Sequence, residues 1–169
     1  MIYLRELGII VLAICPLLIG LTYSVALKRN QTQIDELIQL ITWLKIDIRY
    51  NQSQLGDMVN RICSSSKFNN LNFLNNLKNN MMNMPFPNAW EKSISDWNSS
   101  ISQDDKDLLK SMSSILGASD ANGQIMALEH VEHRFKISLQ SAREVYNKKG
   151  KLFRSLGILI GLAVFVVFM

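Results

Sequence analysis

Polarity divides this chain into an apolar beginning, a long mixed middle and an apolar end. Leu7 to Leu27 contains no charged side chain, and neither does Leu156 to Met169. A helix needs about 20 apolar residues to cross a hydrocarbon core about 30 Å thick. The first run has that length. The second, as a helix, is about 21 Å long, or about 27 Å if counted from Leu152, with Arg154 near its start reaching back to the interface. The pattern predicts an N-terminal transmembrane helix over residues 1–27 and a C-terminal one over 155–169, flanking a domain over 28–154. Two alternatives stay open. Ser24-Val25-Ala26 has the small-x-small form of a signal-peptide cleavage site, and the short C-terminal run has the length of a tail dipping into one leaflet. Cys15 hints at a lipidation site, but Ile14 before it and Pro16 after it argue against that. Pro16 reads instead as a kink in a spanning helix.

Between the apolar ends the spacing is helical. Ile34, Leu37, Ile38, Ile41, Leu44 and Ile48 recur at intervals of three and four, the stripe of one buried helix face. Leu55, Met58, Val59 and Ile62 resume it after a polar break. Phe68, Leu71, Leu74 and Leu77 predict a short helix ended by Pro85 and Pro87, after which Asn88 is set to cap a helix from Ala89 to about Trp97. Ser102-Gln103-Asp104-Asp105 reads as a helix start, with a serine cap and carboxylates facing the positive end of the dipole. Its apolar face is Leu108, Leu109, Met112, Ile115 and Leu116, and Gly117 ends it. Ser119 and Asp120 open a longer helix reaching past Tyr146. No strand-like alternation occurs. The fold class is all-α: a compact bundle of about five or six helices between two membrane helices.

Charge sets the orientation. Lys28 and Arg29 follow the first run, and Lys148, Lys149, Lys151 and Arg154 border the second. Basic flanks stay in the cytoplasm, so the termini are expected outside and residues 28–154 inside. The net charge of +4 gathers beside the apolar runs, where lipid headgroups explain it better than nucleic acid does. Two cysteines, one at each of Cys15 and Cys63, make no disulfide framework and fit a reducing compartment. Gly157 and Gly161 form a Gly-x-x-x-Gly pair, a groove that Gly8 or Gly20 is placed to fill.

Candidate chemistry is sparse. His130 and His133 lie three apart but lack a third ligand, and Glu132 with Lys136 makes an ordinary i,i+4 pair. Asp104, Asp105 and Asp107 are explained by their helix start. Neither a nucleophile elbow nor a phosphate loop is present; Gly150-Lys151 has Val145 where that loop needs glycine. Trp43, Trp90 and Trp97 read as packing residues. The expectation is a non-enzyme with no cofactor and no metal, whose energy, if any is used, comes from a partner.

Two stretches go beyond generic helices. Leu116-Gly117-Ala118-Ser119-Asp120 with Gln124, and Lys149-Gly150-Lys151-Leu152-Phe153-Arg154-Ser155-Leu156-Gly157 continuing to Gly161, resemble the stage III sporulation protein AB family in order and distance. Asp47-Ile48-Arg49-Tyr50 is similar to that family's acid-Ile-x-Tyr stretch, and Ala89-Trp90 to its Ala-Trp helix start. Ser113 departs from the family's usual glycine. The resemblance implies a platform like those of type II secretion and type IV pilus systems. It would be set in the mother cell's outer forespore membrane as a multi-pass protein with a cytoplasmic domain. Implied partners are a cytoplasmic ATPase resembling stage III sporulation protein AA, other stage III sporulation membrane proteins and membrane lipid; a homo-oligomer is compatible with it. The residues it singles out are Asp47, Tyr50, Trp90, Gly117, Asp120, Gln124, Gly150, Arg154, Gly157 and Gly161. Plain structural roles suit several of them: Asp120 as a helix cap, Gln124 bonding back to that turn, Arg154 at the membrane boundary and Gly157 in close packing. A secretion or pilus platform unrelated to sporulation and a signal-cleaved extracytoplasmic helical protein are the competing readings.

Overall fold

The computed structural model describes the backbone of residues 2–51, 54–117 and 120–168; side chains are described for 18–51, 54–117, 120–153, 155–160, 162, 163 and 166. The reading on Ser119 lies outside the described residues, as do those on the packing of Gly8 and on the side chains of Cys15, Pro16 and Arg154. Among those described there is no strand. The helices are α1 (Ile2–Tyr50), α2 (Leu55–Ser64), α3 (Phe73–Asn80), α4 (Phe86–Ser95), α5 (Gln103–Ser111), α6 (Ala121–Val145) and α7 (Lys151–Phe168). Short 3-10 turns occupy Ser66–Phe68 and Met112–Ser114, and a π-helical turn, Tyr146–Gly150, joins α6 to α7. The chain divides into two compact units: Met1–Gln31 with Ser141–Met169, and Thr32–Gln140.

The second unit is built on an apolar core. Ile34, Leu37, Leu40, Ile41 and Leu44 on α1 are buried, together with Met58, Val59 and Ile62 on α2 and Leu128, Val131 and Phe135 on α6. Most of them keep a three-and-four spacing, which puts them on one face of each helix; on α1 Leu40 joins the expected stripe, while Ile38 and Ile48 are only half-buried. Phe73 meets Trp90 edge-on at 5.6 Å and Trp97 at 5.1 Å, and Phe86 lies 5.5 Å from Trp90. Gln33 is fully buried on α1, yet both ends of its amide are used. Nε2 donates to the Asn70 carbonyl at 3.3 Å, and Oε1 accepts from Ser100 N at 2.8 Å. One side chain thereby ties two connecting segments to α1 and avoids the cost of a buried, unbonded amide.

Local chemistry explains the helix ends. Ser102 Oγ accepts from Asp105 N at 3.1 Å and donates to Asp105 Oδ2 at 2.7 Å, a reciprocal cap of about 1 kcal/mol. Gly117, beyond the 3-10 turn that follows α5, has φ +83°, the left-handed conformation that glycine adopts without a Cβ penalty.

Four expectations are corrected. The helix expected from Ser102 to Gly117 is α5, which ends at Ser111, followed by the 3-10 turn Met112–Ser114. The helix expected over Phe68–Leu77 is a 3-10 turn followed by α3, with a turn between. Glu36 on α1 accepts from Asn70 N at 3.1 Å and from the Asn70 amide, so that backbone is bonded to a side chain instead of a helix. Asn88 does not cap α4, which begins at Phe86 with Pro85 as its cap residue. Pro87 falls in the first turn, where its missing N–H has no acceptor to serve. The expected helix past Tyr146 ends at Val145 and passes through the π-helical turn.

The expected membrane helices also change in form. Among the described residues no helix is long and apolar enough to cross a membrane. The first apolar run is the leading part of α1, which continues without a break through Leu27 to Tyr50. The second lies in α7, where Lys151 stands at the start and apolar length is short.

Candidate interaction surfaces

Oppositely charged side chains in the Thr32–Gln140 unit pair in two clusters. Asp47, on the core-facing side of α1, is only 2% exposed. A carboxylate removed from water needs a partner and further hydrogen bonds. Arg61, on the last turn of α2, donates through Nη2 to both its oxygens at 2.7 Å, and Asn51 Nδ2 donates to Oδ1 at 2.7 Å. The guanidinium also lies 6.0 Å from the centre of the Trp43 ring, within cation–π range. The second cluster is Glu132 on α6, clamped by Lys45 Nζ at 2.5 Å and Lys136 Nζ at 2.6 Å. Burial pushes the Glu132 carboxyl up, but hydrogen bonds from Lys136 and Lys45, and their charges, outweigh it and hold the group below its ordinary value. Thr42, Lys45, Ile46, Arg49, Tyr50 and Glu129 line a depression of about 150 Å³ beside this clamp. That is below the roughly 300 Å³ at which small-molecule pockets begin; a wide, open depression of about 470 Å³ lies beside the first cluster, lined by Trp43, Asn60, Arg61, Ser64 and Ser65.

The residues singled out from the sequence are placed as follows. Tyr50 is 74% exposed at the end of α1, whereas Asp47, three residues earlier, is buried. Trp90 is buried, and its Nε1 donates to the Leu109 carbonyl at 2.8 Å, joining α4 to α5. Gly117, Asp120 and Gln124 share one turn. Gln124 Oε1 accepts from Gly117 N at 3.1 Å, while Asp120 Oδ1 accepts from Gly123 N at 3.3 Å at the start of α6. A Cβ on Gly117 would stand 3.0 Å from Leu55 Cδ1. Gly150 closes the π-helical turn against its own Tyr146 ring, where a Cβ would lie 3.0 Å from Cδ2. Gly161 lies within α7. Asp47, Trp90 and the Gly117 turn are thus separate structural devices rather than one converging site.

The acids with an eye to catalysis are likewise occupied. Asp105 accepts from the Ser138 hydroxyl at 2.6 Å as well as bonding Ser102, which ties α5 to α6. Asp107 accepts from Gln103 Nε2 at 2.8 Å. His130 and His133 are exposed on α6. Among the described residues no group of three or more His, Cys, Asp or Glu side chains is arranged to hold a metal. Sequence reasoning missed the Asp47–Arg61 pair, Lys45 as second partner of Glu132, and the Asp105–Ser138 bond. Asp47 carried a signal: it falls three residues after Leu44, in phase with the buried stripe, where an unpaired carboxylate would be costly.

The other unit contains a pair of helical segments in close approach. A Cβ added to Gly20 would stand 2.5 Å from the Phe153 carbonyl oxygen and 3.4 Å from Gly157 Cα, so at this point backbone packs on backbone. The Tyr23 and Phe153 rings lie 4.5 Å apart, and Lys28 Nζ sits 5.5 Å above the Tyr146 ring. Stepping back along α1 through Lys28, Tyr23 and Gly20 therefore steps forward through Tyr146, Phe153 and Gly157. The two segments run antiparallel.

The family model of stage III sporulation protein AB matches residues 5–169. The chain belongs to the stage III sporulation protein AB family. The match takes in both units and both apolar ends, and membership gives the chain a role in sporulation. No curated protein and no solved structure matches it at a significant level.

Proposed function

We propose that this stage III sporulation AB protein is a non-enzymatic membrane platform of the complex joining mother cell and forespore. In this reading residues 28–154 form a cytoplasmic domain that couples a cytoplasmic ATPase, resembling stage III sporulation protein AA, to the other membrane subunits of the complex. The apolar ends, residues 1–27 and 155–169, are its membrane anchors. The observation that carries the reading is the family match across residues 5–169.

Three features support it. Acids that might serve chemistry are committed to structure: Asp47 to Arg61, Glu132 to Lys45 and Lys136, Asp105 to Ser102 and Ser138. The glycine-mediated approach of Gly20 to Gly157 is the packing that membrane helices use, where small residues let backbones come close. A leader cleaved after Ala26 would cut inside α1 and remove Gly20 from that contact, so the anchor reading is preferred over a removed signal peptide.

Clean deletion in the spore-forming host is expected to arrest development after engulfment, with heat-resistant spore counts falling by orders of magnitude. Normal counts would sink the sporulation-platform reading. Retention of the full chain in carbonate-washed membranes tests the anchors separately.

A further inference from the structure

The antiparallel pair in the first unit is graded in polarity along its length. At one level Lys28 lies over Tyr146, beside the π-helical turn that carries Lys148 and Lys149 and leads into Lys151, all exposed. At the next level the aromatic rings of Tyr23 and Phe153 meet, both partly open to the surroundings. Beyond them Gly20 and Gly157 touch, and the side chains around them point outward: Ile19 is 66% exposed and Leu159 is 61% exposed, with Leu18, Leu156 and Ile160 also exposed. Cation, then aromatic ring, then bare aliphatic surface is the order of a bilayer's headgroup layer, interface and hydrocarbon. The charge is one-sided as well. Among the described side chains of this unit Glu144 is the only carboxylate, against Lys28, Arg29, Arg143, Lys148, Lys149 and Lys151.

We propose that the lysine collar at the π-helical turn binds the phosphates of anionic phospholipids. The proposal rests on the anchor reading above and adds to it the class of lipid recognised. The occupant is a lipid surface because exposed aliphatic residues continue directly from the cations, which a soluble anion would leave uncovered. Gly150 sits against the Tyr146 ring that also receives Lys28, which sets Lys28 beside the turn that carries Lys148 and Lys149 and leads into Lys151. Each basic side chain at a lipid surface changes affinity by about fivefold, so removing three changes it by about a hundredfold.

The test uses the full chain in neutral detergent micelles, titrated with phosphatidylglycerol, with phosphatidylcholine and with inorganic phosphate, and read by native mass spectrometry. Phosphatidylglycerol is expected to bind about a hundredfold more tightly than phosphatidylcholine. The triple variant K148A/K149A/K151A is expected to erase that preference, while K148R/K149R/K151R keeps it; circular dichroism checks that both remain helical. Equal binding of the two lipids, an unchanged preference in the alanine variant, or inorganic phosphate displacing the lipid at comparable concentration would each overturn the proposal. None of those results bears on the anchors themselves, which fail only if the chain leaves washed membranes in soluble form.

Discussion

The two units spend their apolar residues in opposite ways. In Thr32–Gln140 the large side chains point inward and the charges are paired: Trp90, Phe73 and Phe135 are buried, and Asp47 meets Arg61. In the other unit the aliphatic side chains point outward while backbone meets backbone at Gly20 and Gly157. The first arrangement is what water rewards, since burial removes apolar area from it at about 25 cal/mol per Å². The second gains nothing of that kind in water and relies on close packing; in the anchor reading proposed above, that is how helices associate once lipid surrounds them. On that reading the chain carries two solutions to two solvents, and each should break in its own way.

The largest effect is expected at Trp90. Truncation to alanine empties the centre of the aromatic cluster and removes the indole bond to the Leu109 carbonyl, a loss of about 3–5 kcal/mol. Denaturant unfolding followed by tryptophan fluorescence would read it, with Trp43 and Trp97 still reporting. A cost under about 1 kcal/mol would mean that burial does not hold this unit.

Gly20→Leu attacks the other solution. Its side chain must displace the Phe153 carbonyl, which is backbone and has little room to yield. The Tyr23–Phe153 contact is the reporter: with both replaced by cysteine, oxidative cross-linking in membranes is expected to fall by about tenfold in the Gly20→Leu background. The unfolding free energy of the Thr32–Gln140 unit should stay within about 0.5 kcal/mol of the parent. Equal damage to both would erase the distinction between the units.

Much of the bundle was legible because its signal is periodic. The stripe from Ile34 to Leu44 and the Ser102 cap are local patterns with local causes; the helix expected to run on to Gly117 instead ends at Ser111 and tightens into a 3-10 turn. Departures arose where a distant side chain overrode local preference. Nothing near Asn70 announces that Glu36 and Gln33, more than thirty residues earlier, take its backbone and amide. Pro87 was read as a helix breaker because its place in the first turn depends on where the helix begins. The π-helical turn at Tyr146 leaves no sequence mark, since one extra residue per turn alters no composition. Asp47 and Glu132 were visible as acids, but their partners Arg61 and Lys45 come from other elements, and spacing along one helix does not reveal those.

A smaller effect is expected from acid. Glu132 has its folded-state carboxyl below the ordinary value of 4.5, so the group contributes stability that is complete above that value and is lost as pH falls through its folded one. Because Lys136 is largely exposed, the contribution is under about 1 kcal/mol. Glu132→Gln should flatten the acid limb of the stability profile below about pH 4.5 and change little near neutrality. An unchanged acid limb would show the clamp to be energetically silent.

The smallest effect on stability, and the one that best sharpens the contrast between closed and open surfaces, concerns Cys63. It lies half-buried on α2, its Sγ–H donates to the Leu74 carbonyl at 3.2 Å, and burial pushes its thiol above 9.0 while Lys78 draws it back only in part. Thiolate is the reactive form, so maleimide should modify Cys63 more than tenfold more slowly than a cysteine at exposed Asn60, three residues earlier on the same helix. Topology is therefore read better from Asn60→Cys in a Cys15→Ala, Cys63→Ser background: labelling only after permeabilisation places the bundle in the cytoplasm, and labelling of intact cells places it outside. If Cys63 reacts as fast as the Asn60 variant, the face of α2 that carries it is open, and the Thr32–Gln140 unit is less closed than its packing indicates.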